Sequence, residues 1–149
     1  MVIFRMHGVT HDSFDTTGSF LHAGRWHKVG TRVIYAAEHV SLAVLETLIH
    51  AGGRKIPPRS LTRIHIPDGL AIEETGWREM PDSQDWGDTW ARQGRSAVLR
   101  VPSIAVNRLE SNFVLNPAHP EFAHIGRDPA EEFPFDPRFF LLQLREIDS

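Results

Sequence analysis

The segment Phe20 to His50, FLHAGRWHKVGTRVIYAAEHVSLAVLETLIH, reads as a loop, a strand and a helix in succession. Thr31 to Ala37 is rich in β-branched and aromatic residues, which favours a strand. Val40 to His50 places Leu42, Leu45, Leu48 and Ile49 at helical spacing and ends before Gly52-Gly53, a helix stop signal. Glu46 lies inside that apolar helix, with Leu42 one turn before it and Ile49 nearly one turn after. Residues at those spacings share a face. A carboxylate there costs desolvation energy unless it is paired or used; the alternative is a Glu at the edge of the stripe, pointing into water. In the loop, Gly24 and Gly30 flank Arg25, Trp26 and Lys28. Glycines let backbone approach a ligand closely, and Arg grips phosphate oxygens with two parallel donors. The plainer account is a surface loop over a buried Trp26. The loop carries neither the Walker nor the dinucleotide glycine pattern. Arg25, Tyr35 and Glu46 thus fall within one loop–strand–helix unit.

Working outward, Val2 to Met6, Leu61 to Ile66, Ala97 to Val101 and Phe139 to Ile147 read as further strands, several of them closed by proline. A second helix is expected over Asp85 to Gln93, with Trp86 and Trp90 four apart on one face. Asn116 to Arg138 is proline-rich and irregular; long stretches of this kind are functional or tied down by packing. The pattern is that of an α+β fold with mostly antiparallel strands and few helices.

With 149 residues the chain fits one domain, residues 1–149. Roughly 70% of the unfolded surface can be buried at this length, so neither a metal nor a disulfide staple is required. Cysteine is absent, which excludes disulfides, thiolate metal sites and a Cys nucleophile, and suits a cytoplasmic protein. The net charge of −3 argues against a general nucleic-acid binder, so no direct nucleic-acid contact is expected. No apolar run approaches the ~20 residues of a membrane span, so no membrane association is expected. The segment Met1 to His7 turns polar too early for a secretory signal.

Among the remaining polar residues, Ser103 follows a strand end in Val101-Pro102-Ser103. It is either a ligand group at that end or an ordinary turn residue. Nothing around it matches a Gly-x-Ser-x-Gly nucleophile elbow. The nine histidines form no His-Glu-x-x-His and no clean ligand cluster, so no metal is expected. The four tryptophans read as core and pocket walls.

Several motifs, in order, resemble the RES domain, the toxin half of Xre–RES toxin–antitoxin pairs. They are Phe4-Arg5, Gly24-Arg25-Trp26 with Gly30, Val33-Ile34-Tyr35, and Ser41 to Glu46. Gly87-Asp88-Thr89-Trp90, Val101-Pro102-Ser103, Asn116 to Pro120 and Phe135 to Arg138 follow. The resemblance spans nearly the whole chain. It implies a fold like that of ADP-ribosyltransferase toxins, a split sheet around an NAD⁺ cleft lined by Arg5, Arg25, Tyr35, Glu46 and Ser103. Two positions depart from the family's usual Gly-Gly-Arg-Trp-Asn, where this chain has Ala23 and His27. Met6 stands where some members carry an aromatic residue.

The activity implied is cleavage of the nicotinamide–ribose bond of NAD⁺, a substrate rather than a permanently bound cofactor, by a glycohydrolase, a phosphorylase or an ADP-ribosyltransferase. Bond breaking leaves positive charge on the ribose, as in glycoside hydrolysis. Glu46 is the candidate carboxylate for that charge, and Arg5 and Arg25 are the candidates for the diphosphate. Tyr35 is assigned to stacking on, or hydrogen-bonding to, the nicotinamide ribose, and Ser103 to positioning. A ribonuclease toxin and a non-enzymatic interaction domain are the rival readings. The resemblance also implies an Xre-type helix-turn-helix antitoxin that covers the site, within a homodimer or a toxin–antitoxin hetero-oligomer.

Overall fold

A computed structural model describes residues 1–140 of the chain. In order, β1 spans Val2–Gly8, α1 Thr17–Leu21, β2 Ile34–Ala37, α2 Val40–Ala51 and β3 Arg59–His65. Then come β4 Ile72–Glu74, α3 Asp82–Gln93, β5 Val98–Pro102, β6 Ser111–Leu115, β7 Gly126–Arg127 and β8 Glu131–Glu132. Short 3₁₀ turns occupy Ile104–Val106 and Pro120–His124.

The strands form one sheet in the order β4-β5-β6-β2-β1-β3-β7, with β8 also on β3. Every pairing is antiparallel except β4 with β5. This is the α+β, mostly antiparallel architecture expected. β1 and β3 pair continuously from Val2↔His65 to Gly8↔Arg59, and β2 and β6 from Ile34↔Leu115 to Ala37↔Asn112. Between β1 and β2 a single register pair, Phe4↔Ala37, holds the two halves together. The sheet is therefore split at that seam, and it is there that the candidate residues of β1 and β2 lie.

Directly opposed residues share a face and neighbours in a strand alternate. One face carries Ile3, Ile34, Ala36, Ile64, Val98, Phe113 and Leu115, packed with Phe14, Leu70, Phe122 and Ile125. The other face is covered by the two long helices. Trp90 and Ala91 of α3 pack with Trp26 on Leu99, Val114 and Tyr35, while Leu42 and Ala43 of α2 pack on Phe4, Met6 and Ala37.

The helix α2 stops where expected, with Gly52 at a left-handed φ of 57° and its N–H on the Leu48 and Ile49 carbonyls. Its buried side differs from the expected stripe. Leu42, Ala43 and Val44 are buried, whereas Leu45 is 38% and Ile49 61% exposed. The buried residues fall in the first part of the helix, and further along Leu48 is half-buried while Leu45 and Ile49 face outward. The helix α3 begins at Asp82 rather than Asp85, and both acids sit in its first turn, where they complement the helix dipole.

The strand expected from Thr31 starts at Ile34. The strands β4, β6, β7 and β8 were not foreseen: β4, β7 and β8 are two or three residues long, and β6 buries Phe113, Val114 and Leu115 in succession, without alternation. The proline-rich stretch is tied down by β7 and β8 on β3 and by Phe122 in the core. At the expected strand Phe139 to Ile147, residues 138–140 are helical, and 141–147 lie outside the described residues. Among the described residues no helix is long and apolar enough to cross a membrane.

Candidate active site at the split of the sheet

The loop bearing Arg25 is fixed from two sides. On the β2 side, Nε2 of His27 faces the carbonyl oxygens of Ser19 at 2.8 Å and His22 at 2.9 Å. Carbonyls only accept, so Nε2 carries the hydrogen. In the neutral ring Nδ1 is then the acceptor, and the Tyr35 hydroxyl donates to it at 2.6 Å while accepting from the Trp26 N–H at 3.1 Å. Burial pushes the Tyr35 phenol well above its ordinary pKa. Gly24 is required beside it, because a Cβ there would lie 2.7 Å from the Tyr35 hydroxyl. His27, at the position where the family often has Asn, is thus part of the anchor.

On the α3 side, Gln84 Nε2 donates to the Gly24 carbonyl at 2.9 Å and Ser83 Oγ to the Arg25 carbonyl at 2.6 Å. The Lys28 N–H donates to Asp88 Oδ1 at 3.1 Å. Gly87 makes the close approach possible, since a Cβ there would overlap the Trp26 carbonyl oxygen. The Arg25 main chain is therefore immobilised. Its guanidinium makes no hydrogen bond or ion pair among the described residues and lies 4.8 Å from the centre of the Trp77 ring.

Arg5 reaches into the seam. Its Nε donates to the Ser13 carbonyl at 2.6 Å and its Nη1 to the Tyr35 carbonyl at 2.9 Å, so the guanidinium bridges β1 to β2 just where their ladder ends. Burial lowers its pKa to about 10, with Asp15 opposing and Arg59 adding to the shift, and it stays cationic at neutral pH. Nη2 has no partner among the described residues, and Nε of Arg59 is buried without one.

Glu46 and Ser103 meet directly, the Ser103 hydroxyl donating to Glu46 Oε1 at 3.0 Å. Glu46 is half-buried and Ser103 is 2% exposed. No cation pairs with this carboxylate among the described residues. Ser103 is itself held by its N–H to the Glu110 carbonyl at 2.9 Å, and its own carbonyl accepts from the Arg108 N–H at 2.7 Å. Glu46 lies one turn beyond Leu42 and Ala43, which seat α2 on β1 and β2.

Of the five residues singled out from sequence, Glu46 and Ser103 are in contact, Arg5 is joined to the main chain of Tyr35, and Arg25 is close enough to Tyr35 to influence its ionisation. Two unforeseen residues link these groups. Arg108 lies 5.4 Å from the centre of the same Trp77 ring as Arg25, and its main chain holds Ser103. Asn107 and Arg108 both have left-handed backbone, φ 54° and 65°. Asn107 was the one sequence hint of that turn, since Asn tolerates this region. The Tyr35 hydroxyl is fully engaged within the protein, and its ring packs against the cluster of Trp26, Trp90, Leu99 and Val114. Among the described residues no group of three or more His, Asp or Glu side chains is placed to hold a metal ion.

The fold matches a chain of the M. tuberculosis MbcT–MbcA toxin–antitoxin complex with a TM-score of 0.74, covering 94% of this chain and 86% of that one at 15% identity. Residues 2–136 match the RES domain, and the chain belongs to that family. It is 35% identical over 140 residues to the Prs ADP-ribosylating toxin of a Sphingobium species, covering 85% of this chain and 86% of the relative. It is 36% identical over 132 residues to Toxin Res of Yersinia enterocolitica, covering 81% and 86%.

Proposed function

We propose that this RES domain is a toxin that breaks the nicotinamide–ribose bond of NAD⁺. The observation that carries the reading is the Glu46–Ser103 pair: a half-buried carboxylate fixed by a hydroxyl and paired with no cation among the described residues. Such a group is poorly compensated on its own and well suited to a cationic partner. As the C–N bond breaks, its electron pair goes to the nicotinamide nitrogen, whose charge is neutralised, and positive charge develops on the ribose. Glu46 stabilises that charge more than it stabilises bound NAD⁺, which lowers the barrier. Ser103 keeps the carboxylate oriented. Arg25, on a main chain fixed from two sides, binds the diphosphate, and the Tyr35 ring packs on the nicotinamide ribose. Arg5 bridges β1 to β2 through the Ser13 and Tyr35 carbonyls and so sets the geometry of the seam.

The leaving nicotinamide is replaced by a nucleophile: water in a glycohydrolase, phosphate in a phosphorylase, or a protein side chain in a transferase. The ADP-ribosylating relative favours transfer to a protein as the second reading. NAD⁺ is consumed, and no permanently bound cofactor is needed. An enzyme of this kind has to be restrained in the cytoplasm that makes it. The toxin–antitoxin origin of the similar fold supports a cognate antitoxin as its partner, and the resemblance of the motifs suggests the Xre helix-turn-helix type. Mass spectrometry of NAD⁺ incubated with the purified chain, with and without phosphate and cell protein, tests the activity. Free nicotinamide with ADP-ribose, its phosphate ester or a modified protein is expected. Intact NAD⁺ in every arm would overturn the proposal.

A further inference from the structure

Trp77 and Arg108 belong to none of the motifs, yet the chain gathers Arg25 and Arg108 on one indole. Their guanidinium carbons lie 4.8 and 5.4 Å from the Trp77 ring centre. Neither side chain has a hydrogen bond or ion pair among the described residues. By contrast Arg63, Arg78, Arg92, Arg95, Arg100 and Arg127 each meet a carboxylate. Two like charges beside one ring repel each other unless an anion lies near both. Neither is placed loosely. Arg25 sits on the clamped loop, and Arg108 is bonded through its N–H to Ser103, whose hydroxyl holds Glu46. Arg108 also has a left-handed φ of 65°, unusual for a residue with a long side chain.

We propose that Arg25, Trp77 and Arg108 form the diphosphate subsite of the enzyme, with Arg108 rather than Arg5 as the second guanidinium. This rests on the NAD⁺ reading above. A dinucleotide diphosphate carries two negative charges and planar sets of oxygens, which two guanidinium forks match in charge and geometry. The indole holds both forks by cation–π attraction before the ligand arrives, which reduces the ordering cost of binding. Arg5 donates instead to two main-chain carbonyls, so it is a positioning residue for β1 and β2.

The test is Arg108→Gln, a change at an exposed position, with a melting curve to verify folding. ADP-ribose binding is measured by calorimetry and NAD⁺ turnover by steady-state kinetics. The substitution is expected to weaken ADP-ribose binding and raise KM for NAD⁺ by roughly tenfold, the effect of one charge-assisted contact, with kcat within about twofold. Arg25→Gln is expected to do the same, while nicotinamide riboside, which lacks phosphate, binds the parent and both variants alike. An Arg108→Gln protein that binds ADP-ribose within about twofold of an active parent overturns this subsite alone. A parent that neither binds ADP-ribose nor consumes NAD⁺ overturns the subsite together with the function it rests on.

Discussion

Replacing Gly87 by alanine isolates the contact that holds the Arg25 loop to α3. A Cβ at position 87 would overlap the Trp26 carbonyl oxygen and lie 2.8 Å from its carbonyl carbon and 3.1 Å from its Cα. The obstacle is backbone, so it cannot be relieved by a side-chain rotation. Either the loop or the helix must move by about 1.5 Å, since non-bonded atoms settle ~3.5 Å apart. Overpacking of this kind costs about 1–3 kcal/mol. The movement also strains the three bonds from Gln84, Ser83 and Asp88 to the loop, each contributing about 1 kcal/mol. A total near 3–5 kcal/mol corresponds to a fall in melting temperature of about 10 °C for a domain of this size. Because Arg25 rides on the displaced loop, KM for NAD⁺ should rise as well. Thermal unfolding followed by circular dichroism, together with NAD⁺ kinetics, measures both effects. A Gly87→Ala protein melting within about 2 °C of the parent would refute the reasoning.

Tyr35→Phe removes the hydroxyl shared by His27 and the Trp26 N–H, leaving both without a partner in a buried setting, and should cost about 1–3 kcal/mol; an unchanged melting temperature would show that the phenol does not anchor the loop. Burial lowers the pKa of His7, whose ring bonds Thr62 and main-chain carbonyls, so at acid pH the unfolded chain takes up a proton that the fold does not. Its contribution is complete above about pH 6.5 and is lost as pH falls below it. Parent melting temperature should therefore drop more steeply from pH 7 to pH 5 than that of His7→Gln, and parallel curves would remove His7 from the acid response. The exposed His39, raised by Glu110, acts with the opposite sign, and solvent screening keeps its effect small.

Much of the fold was legible because its signals are local. Gly52 ends α2, alternation marks β3, and proline closes β5. The split was not, since it depends on β1 and β2 sharing only Phe4↔Ala37, a fact of register between distant segments. The strand β6 is equally silent: both faces of Phe113 to Leu115 are buried, so the period-two signal vanishes. Within the site, spacing never joined Glu46 to Ser103, 57 residues apart; the family motifs did. Trp77 and Arg108 lie on separate loops and carry no periodic signal, so their meeting with Arg25 appears only in three dimensions. The exposed Leu45 and Ile49 show the converse, a helical stripe that the fold leaves partly uncovered.

The central claim is that the Glu46 carboxylate supports cleavage of the nicotinamide–ribose bond. Glu46→Gln keeps the size of the side chain and an oxygen to accept from Ser103, and removes only the charge. The direct measurement is nicotinamide release from NAD⁺ by the parent and by this variant, side by side with their melting temperatures. The account predicts a parent that releases nicotinamide and a variant slowed by roughly 10²–10³, the loss typical of one preorganised electrostatic group, with melting unchanged. A folded Glu46→Gln protein that releases nicotinamide at the parental rate would contradict it.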